Sequence, residues 1–158
     1  MSHSRIFQIQ REPITEPISK FRYNERFVGQ NGIDYVVKSD SKAEDIMWLT
    51  TVTEGLQVSQ NADGSYEIVI VSKEEYFEKS FNKFQTYIEK FSNCTMEDFI
   101  KANNNFDFLY LKDAYNNEHG FYADDNDEWA GIQTMDEWVR NAEENKTYYI
   151  GEVFDYHY

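Results

Sequence analysis

Ile6, Phe7 and Ile9 sit among polar neighbours in residues 5–10, a short run that predicts a first strand. Pro13 and Pro17 then impose an extended or irregular connection. Residues 18–27 fit a helix and a strand equally well. Gln30, Asn31 and Gly32 mark a turn, and residues 33–38, with Ile33, Tyr35, Val36 and Val37, predict a second strand. Ser39 or Ser41 is placed to cap a helix carrying Ala43, Ile46, Met47 and Leu49 and ended by Gly55. Trp48, beside Met47, is expected in the core. Asp63 and Gly64 lie between two β-rich runs, 56–59 and 65–71, and predict a hairpin.

The clearest helical period follows. Ser72 and Glu75 have capping-box spacing. Phe77, Phe81, Phe84, Ile88 and Phe91 then recur at intervals of four, three, four and three, which aligns them on one face of a long helix. Such a stripe is expected to be core. Thr95 starts a shorter helix through Phe99 and Ile100, closed by Asn103, Asn104 and Asn105. Residues 106–111 read as a strand, 116–120 as a turn and 120–123 as the returning strand. Thr134 and Glu137 repeat the capping-box spacing ahead of Trp138 and Val139, and residues 147–158 alternate aromatic and polar positions like a final strand. The sum is one α+β domain over residues 1–158. Its antiparallel or mixed sheet has five to six strands, packed by three to four helices.

Composition changes this picture in one respect. The chain has 158 residues, of which 17% are aromatic, too many for a disordered chain. It carries 29 acids against 15 bases, a net charge of -14. That balance excludes a generic nucleic-acid binder, whose footprint is basic, and disfavours docking on anionic lipid. The imbalance is also local. Residues 113–158 hold 12 acids and two bases, and from Asp113 to Glu137 there are eight acids with no Lys or Arg. Folding brings these like charges together at a cost, whereas solubility alone is met by mixing both signs. Tyr115, Phe121, Tyr122, Trp129 and Trp138 are interleaved with the acids, and aromatic faces beside carboxylates suit a partner that presents Lys and Arg. Duplex DNA carries one phosphate per ~1.7 Å of axis, so fourteen net charges correspond to about 24 Å of duplex, roughly seven base pairs.

Other chemistries find little footing. Counting an EF-hand from Asp124 puts Trp129 at the sixth position and Met135 at the twelfth, where Gly and an acid are required. Counting from Asp125 gives Ala130 and Asp136. His3, His119 and His157 are widely separated, with no metal-binding pair spacing, so no metal or cofactor is expected. Cys94 is the sole cysteine and reads as a small apolar residue in a reducing compartment. No nucleophile elbow or phosphate-binding glycine loop is present. Residues 1–11 lack the apolar run of a secretory leader, so a cytoplasmic location is expected.

These features predict a non-enzymatic acidic inhibitor whose partner is a basic protein, a nuclease or related nucleic-acid-binding enzyme. It would occupy the basic groove as anti-restriction and anti-CRISPR inhibitors do, without contacting nucleic acid or membrane itself. The expected contact surface is Glu118, Asp124, Asp125, Asp127, Glu128, Asp136 and Glu137, with Tyr122 and Trp129 as apolar anchors. Three other readings share parts of this pattern. They are an immunity-type protein that neutralises one toxin, an assembly protein whose exposed aromatics serve a homo-oligomer, and a small hydrolase with an acidic cleft.

Overall fold

A computed structural model describes residues 2–15, 20–126 and 131–158. Its elements run β1 (His3–Gln10), α1 (Lys20–Phe27), β2 (Tyr35–Lys38), α2 (Lys42–Val52), β3 (Leu56–Gln60), β4 (Tyr66–Ile70), α3 (Lys73–Ser92), α4 (Met96–Lys101), α5 (Asn105–Tyr115), β5 (Tyr122–Asp124), β6 (Gln133–Thr134), α6 (Met135–Asn141) and β7 (Thr147–His157). The fold is α+β, with one seven-stranded mixed sheet and six helices among the described residues. Both counts exceed the expectation from sequence, because β6 is only two residues long and the segment after Asn104 is helical.

β7 is the spine of the sheet. One of its edges pairs with β1 along almost its whole length. The other edge is shared: Thr147 to Ile150 pair with β4, and Phe154 to His157 pair with β2. The strand order is β3-β4-β7-β1-β5-β6, with β2 beside the far half of β7, and β1–β5 is the parallel pair. Strand side chains alternate between faces, so β1 serves two cores. Phe7 and Ile9 face Leu49 of α2 and Trp138 and Val139 of α6. Ile6 faces Tyr23 and Phe27 of α1, together with Phe154 and Tyr156 of β7. Both faces of the sheet are therefore covered, which explains why the run around Ile6 is apolar on consecutive positions.

A bulge keeps the two cores in register. The β1–β7 pairing shifts between Phe7 and Ile9. Gln8 fills the gap, its Oε1 accepting the Glu152 N–H at 3.0 Å. Gly151 sits against the same side chain, and a Cβ there would lie 2.6 Å from Ile14 Cδ1. An extra residue on one strand of a pair bends and re-aims it in this way.

Several local signals act as their chemistry predicts. The Ser72 side chain accepts from Glu75 N, and Thr134 with Glu137 forms a reciprocal capping box at α6. The β3–β4 hairpin turns at Asp63 and Gly64, where Asp63 accepts from the Ser65 N–H at 2.9 Å. At α2 the cap differs: Ser41 makes no side-chain cap bond, and Ser39 Oγ instead donates to the buried Asp45 carboxylate.

Three expectations are corrected. Residues 106–111 are helical, within α5, and not a strand. The isolated stretch has aromatic, strand-like composition, but Phe108, Leu111 and Tyr115 are spaced for a helix face, and α5 lies against α3, not at a sheet edge. The stripe on α3 is core only at its start, where Phe77 packs half-buried against the main cluster; no residue of α3, α4 or α5 is fully buried. Met47 and Trp48 are also exposed, although Trp48 packs edge-on against Phe121 with ring centroids 4.9 Å apart.

The capping box of α4 carries a pH signature. Thr95 Oγ1 accepts from Asp98 N at 3.1 Å, and Asp98 Oδ2 accepts from Thr95 N at 3.1 Å. Hydrogen bonds from Thr95, backbone first, hold the Asp98 carboxyl below its ordinary 3.8. A depressed carboxyl stabilises the fold above its unfolded pKa, and that contribution disappears as pH falls through the folded value. Carbon-detected NMR titration should therefore find Asp98 ionising below 3.8, with Thr95→Ala moving it back up. Thr95→Ala keeps the backbone N–H, so coincident titrations in parent and variant would refute a contribution from the Thr95 hydroxyl, and an Asp98 that ionises at its ordinary value in the parent would refute the capping account.

Candidate partner-binding surface

The residues expected to form one acidic face are sorted by the fold into different environments. Tyr122 is fully buried on β5, its hydroxyl donating to the Glu118 carbonyl at 2.7 Å, and burial pushes the phenol up to about 12. Its ring packs edge-on against Tyr156. It is a core residue and not an anchor for a partner. β5 runs between β1 and β6, and that placement, invisible in a three-residue strand, buries it.

Asp124 is buried as well, with no exposed surface. Arg26 of α1 reaches it with Nε at 2.8 Å and Nη2 at 2.6 Å, both on Oδ1. The guanidinium thus does not span the carboxylate, and Oδ2 has no hydrogen-bond partner. Burial raises the carboxyl above its ordinary range, against the opposing pull of Arg26. This acid links α1 to β5 and offers nothing to a surface partner.

Asp136 and Glu137 are joints of the fold. Asp136, also buried, accepts from the Tyr76 hydroxyl at 2.9 Å on Oδ1 and from Asn117 N at 2.9 Å on Oδ2. Glu137 accepts from Thr134 N at 3.0 Å in the capping box and from Asn116 Nδ2 at 3.4 Å. Tyr76 begins α3, and Asn116 and Asn117 follow α5. The first turn of α6 therefore grips both ends of the α3–α5 unit. Arg140, one turn further, lies 4.8 Å from the Phe77 ring and 4.7 Å from the Tyr115 ring. The capping-box spacing at Thr134 announced the helix. Nothing in the sequence announced that its carboxylates serve a distant pair of helices.

The remaining positions differ again. Glu118 is half-buried and paired with Lys112 at 2.9 Å. Asp125 is exposed, and with Glu12 and Arg11 it lines a cleft of about 440 Å³ floored by Ile9 and Trp138. Asp127, Glu128 and Trp129 lie outside the described residues. Of the expected contact residues that are described, Glu118, Asp125 and Glu137 keep exposed surface, while Tyr122, Asp124 and Asp136 are buried.

A larger cleft, of about 640 Å³, separates α3 and α5 from the body of the sheet. Glu54, Glu75, Asp113 and Asp136 line it beside Lys79, Lys83, Tyr87 and Phe121. Lys79 is tied to Glu54 at 2.6 Å. Burial, the charge of Asp136 and its hydrogen bond to that carboxylate drive the Tyr76 phenol far above its ordinary value. Asp136 has both oxygens occupied by hydrogen bonds, and through them it ties α6 to the start of α3 and the end of α5. Among the described residues no group of three His, Cys, Asp or Glu side chains could hold a metal ion, and no helix is long and apolar enough to cross a membrane.

The distribution of charge is uneven on a coarser scale. Residues 73–115, the α3–α5 unit, contain eight acids and six bases. The rest of the chain contains 21 acids and nine bases. Of those nine, Arg5, Arg26, Lys38 and Lys146 are each bound to a carboxylate. The sheet body is thus strongly anionic and the helical unit nearly neutral. Comparison with protein-family models, curated proteins and solved structures gives no match.

Proposed function

We propose that the chain is a non-enzymatic acidic inhibitor that occupies the basic nucleic-acid groove of a nuclease or related enzyme. The observation that carries this reading is the excess of 21 acids over nine bases outside the α3–α5 unit, with several of those bases already engaged by carboxylates. A surface of this kind attracts a cationic groove at long range, speeds encounter and excludes polyanions that compete for the same site. The proposed contact region centres on Asp125 and Glu118, with Asp127, Glu128 and Trp129 from the sequence that follows Asp125.

The test is inhibition of DNA cleavage by a panel of restriction and CRISPR nucleases, measured from about 50 to about 300 mM salt. Inhibition should weaken steeply as salt rises and be relieved by competing DNA. The triple variant Asp125→Asn, Asp127→Asn, Glu128→Gln should lose on the order of tenfold or more in potency while its unfolding midpoint stays unchanged. Asp124 is left out because its loss acts on the fold. Inhibition that ignores salt, or a triple variant as potent as the parent, would overturn the groove-binding reading. A partner bound in a salt-sensitive manner but not displaced by DNA would instead indicate an immunity-type protein.

A further inference from the structure

We infer that the α3–α5 unit is a self-association surface, covered in solution by the same unit of a second copy of the chain. Ten large apolar residues of this unit are exposed, among them Met96, Phe99, Ile100 and Phe106, each between 73 and 78%. α5 carries Phe106, Phe108, Leu109, Tyr110, Leu111 and Tyr115, which at 100° per residue point all around the helix. A helix apolar on every side is one that is buried on more than one side. α3 covers one side only, through the ring pairs Phe84–Tyr115, Tyr87–Tyr110 and Phe91–Phe108, with centroids 5.8–6.0 Å apart.

The exposed apolar area of the unit, summed over all its sides, exceeds what one contact needs. At about 200 Å² for a fully exposed aromatic or aliphatic residue, the ten fractional exposures leave on the order of 1,200 Å². A standard interface needs about 800 Å² from each partner.

The charge pattern selects the occupant. Three of the acids near the exposed tip are already engaged within the unit. Glu97 is bonded by Lys101, Asp98 is held by Thr95, and Asp107 pairs with Lys90 at 3.3 Å. A highly charged partner finds no counter-charge here. Lipid-docking helices carry Lys and Arg around the apolar face, and the net charge of this chain opposes an anionic bilayer. A second copy meets neither objection. The unit is also the one part of the chain with nearly balanced charge, so two copies approach there with the least repulsion. Two antiparallel helices form half of a four-helix bundle, and a two-fold axis supplies the other half from an identical surface.

Sedimentation velocity on the full chain, from about 1 to about 100 µM, tests this over the affinity range such interfaces span. The parent should pass from monomer to dimer. Higher salt should tighten the dimer by screening the anionic bodies, the opposite of its effect on groove binding, so the two readings fail independently. Ile100→Glu with Phe106→Glu should weaken association by on the order of 100-fold, with unchanged far-ultraviolet circular dichroism. Phe99→Ser gives a milder version should the charged pair disturb the helices, and Met47→Glu on α2 should leave the dimer intact. A parent that stays monomeric throughout overturns the inference, as does a dimer that Ile100→Glu with Phe106→Glu and Phe99→Ser leave unchanged. A monomer that co-floats with phosphatidylcholine vesicles overturns it in favour of lipid docking.

Discussion

Arg26→Ala should destabilise the fold by about 3–5 kcal/mol at pH 7, the cost of leaving a buried charge without its partner. Total stabilities of about 5–15 kcal/mol make this a large fraction. The physical cause is specific to the geometry. Asp124 has no exposed surface, and both guanidinium contacts converge on Oδ1 while Oδ2 is without a partner. Removing Arg26 strips the charged partner from an acid that is already poorly solvated and leaves it the Asn126 N–H. The pH dependence has a definite sign. Burial raises the folded-state pKa of Asp124 above the ordinary 3.8. A raised carboxyl contributes stability that is complete below the unfolded pKa and is lost as pH rises through the folded value. Without Arg26 the pKa rises further, so the deficit relative to the parent is greatest at pH 7 and shrinks on acidification. Urea unfolding at about pH 7 and about pH 5.5 measures both quantities. The double variant Arg26→Met with Asp124→Leu removes both charges and should lose much less than Arg26→Ala alone. A deficit in Arg26→Ala that is independent of pH would show that Asp124 is not the group left stranded.

What could be read from sequence divides along a physical line. Signals carried by a few adjacent residues were legible. The Asp63–Gly64 turn, the caps at Ser72, Thr95 and Thr134, and the long helix over the phenylalanine stripe needed only local chemistry. The α+β class followed from their sum. Burial was not legible where it depends on what a segment packs against. Phe81 and Ile88 have the spacing of core residues, yet their helix reaches the main core only through Tyr76 and Phe77 in its first turns, and further along its apolar face meets α5. Asp124, Asp136 and Tyr122 belong to an acidic, aromatic stretch that suggests a surface, yet partners 98, 60 and 34 positions away in sequence (Arg26, Tyr76 and Tyr156) draw them inside. Net charge follows from composition alone, whereas its location depends on the fold. The contrast between an anionic body and a near-neutral helical unit requires α3, α4 and α5 to pack as one unit. The helical spacing of Phe108, Leu111 and Tyr115 was the available clue to that unit.

Gly55→Ala should cost about 3 kcal/mol or more and should disturb the seating of α3 on the sheet. Gly55 has φ of +75°, a left-handed conformation that charges an L-residue about 1–2 kcal/mol. Its surroundings add to that. A Cβ at this position would collide with the Ser72 carbonyl oxygen and lie 2.8 Å from Tyr76 N, both on the backbone of the first turn of α3. Backbone atoms cannot rotate away as a side chain would, so either the β3 entry or the root of α3 must shift, and overpacking of this kind adds about 1–3 kcal/mol. The Gly55 carbonyl also accepts from Val71 N at 2.8 Å and Ser72 N at 3.3 Å, which ties the start of β3 to the cap of α3. Displacement there would pull Tyr76 from Asp136 and loosen the hold of α6 on the helical unit. Gly64→Ala is the matched control. Its φ is +86°, but the nearest atom to a new Cβ is a flexible Gln60 side chain at 4.0 Å. That variant should lose only the conformational share, about 1–2 kcal/mol. Denaturation midpoints give the two costs, and amide chemical shifts of Ser72 to Tyr76 report the displacement. Equal losses in the two variants, with those shifts unmoved in Gly55→Ala, would mean that the contact between Gly55 and α3 does not set the position of the helical unit.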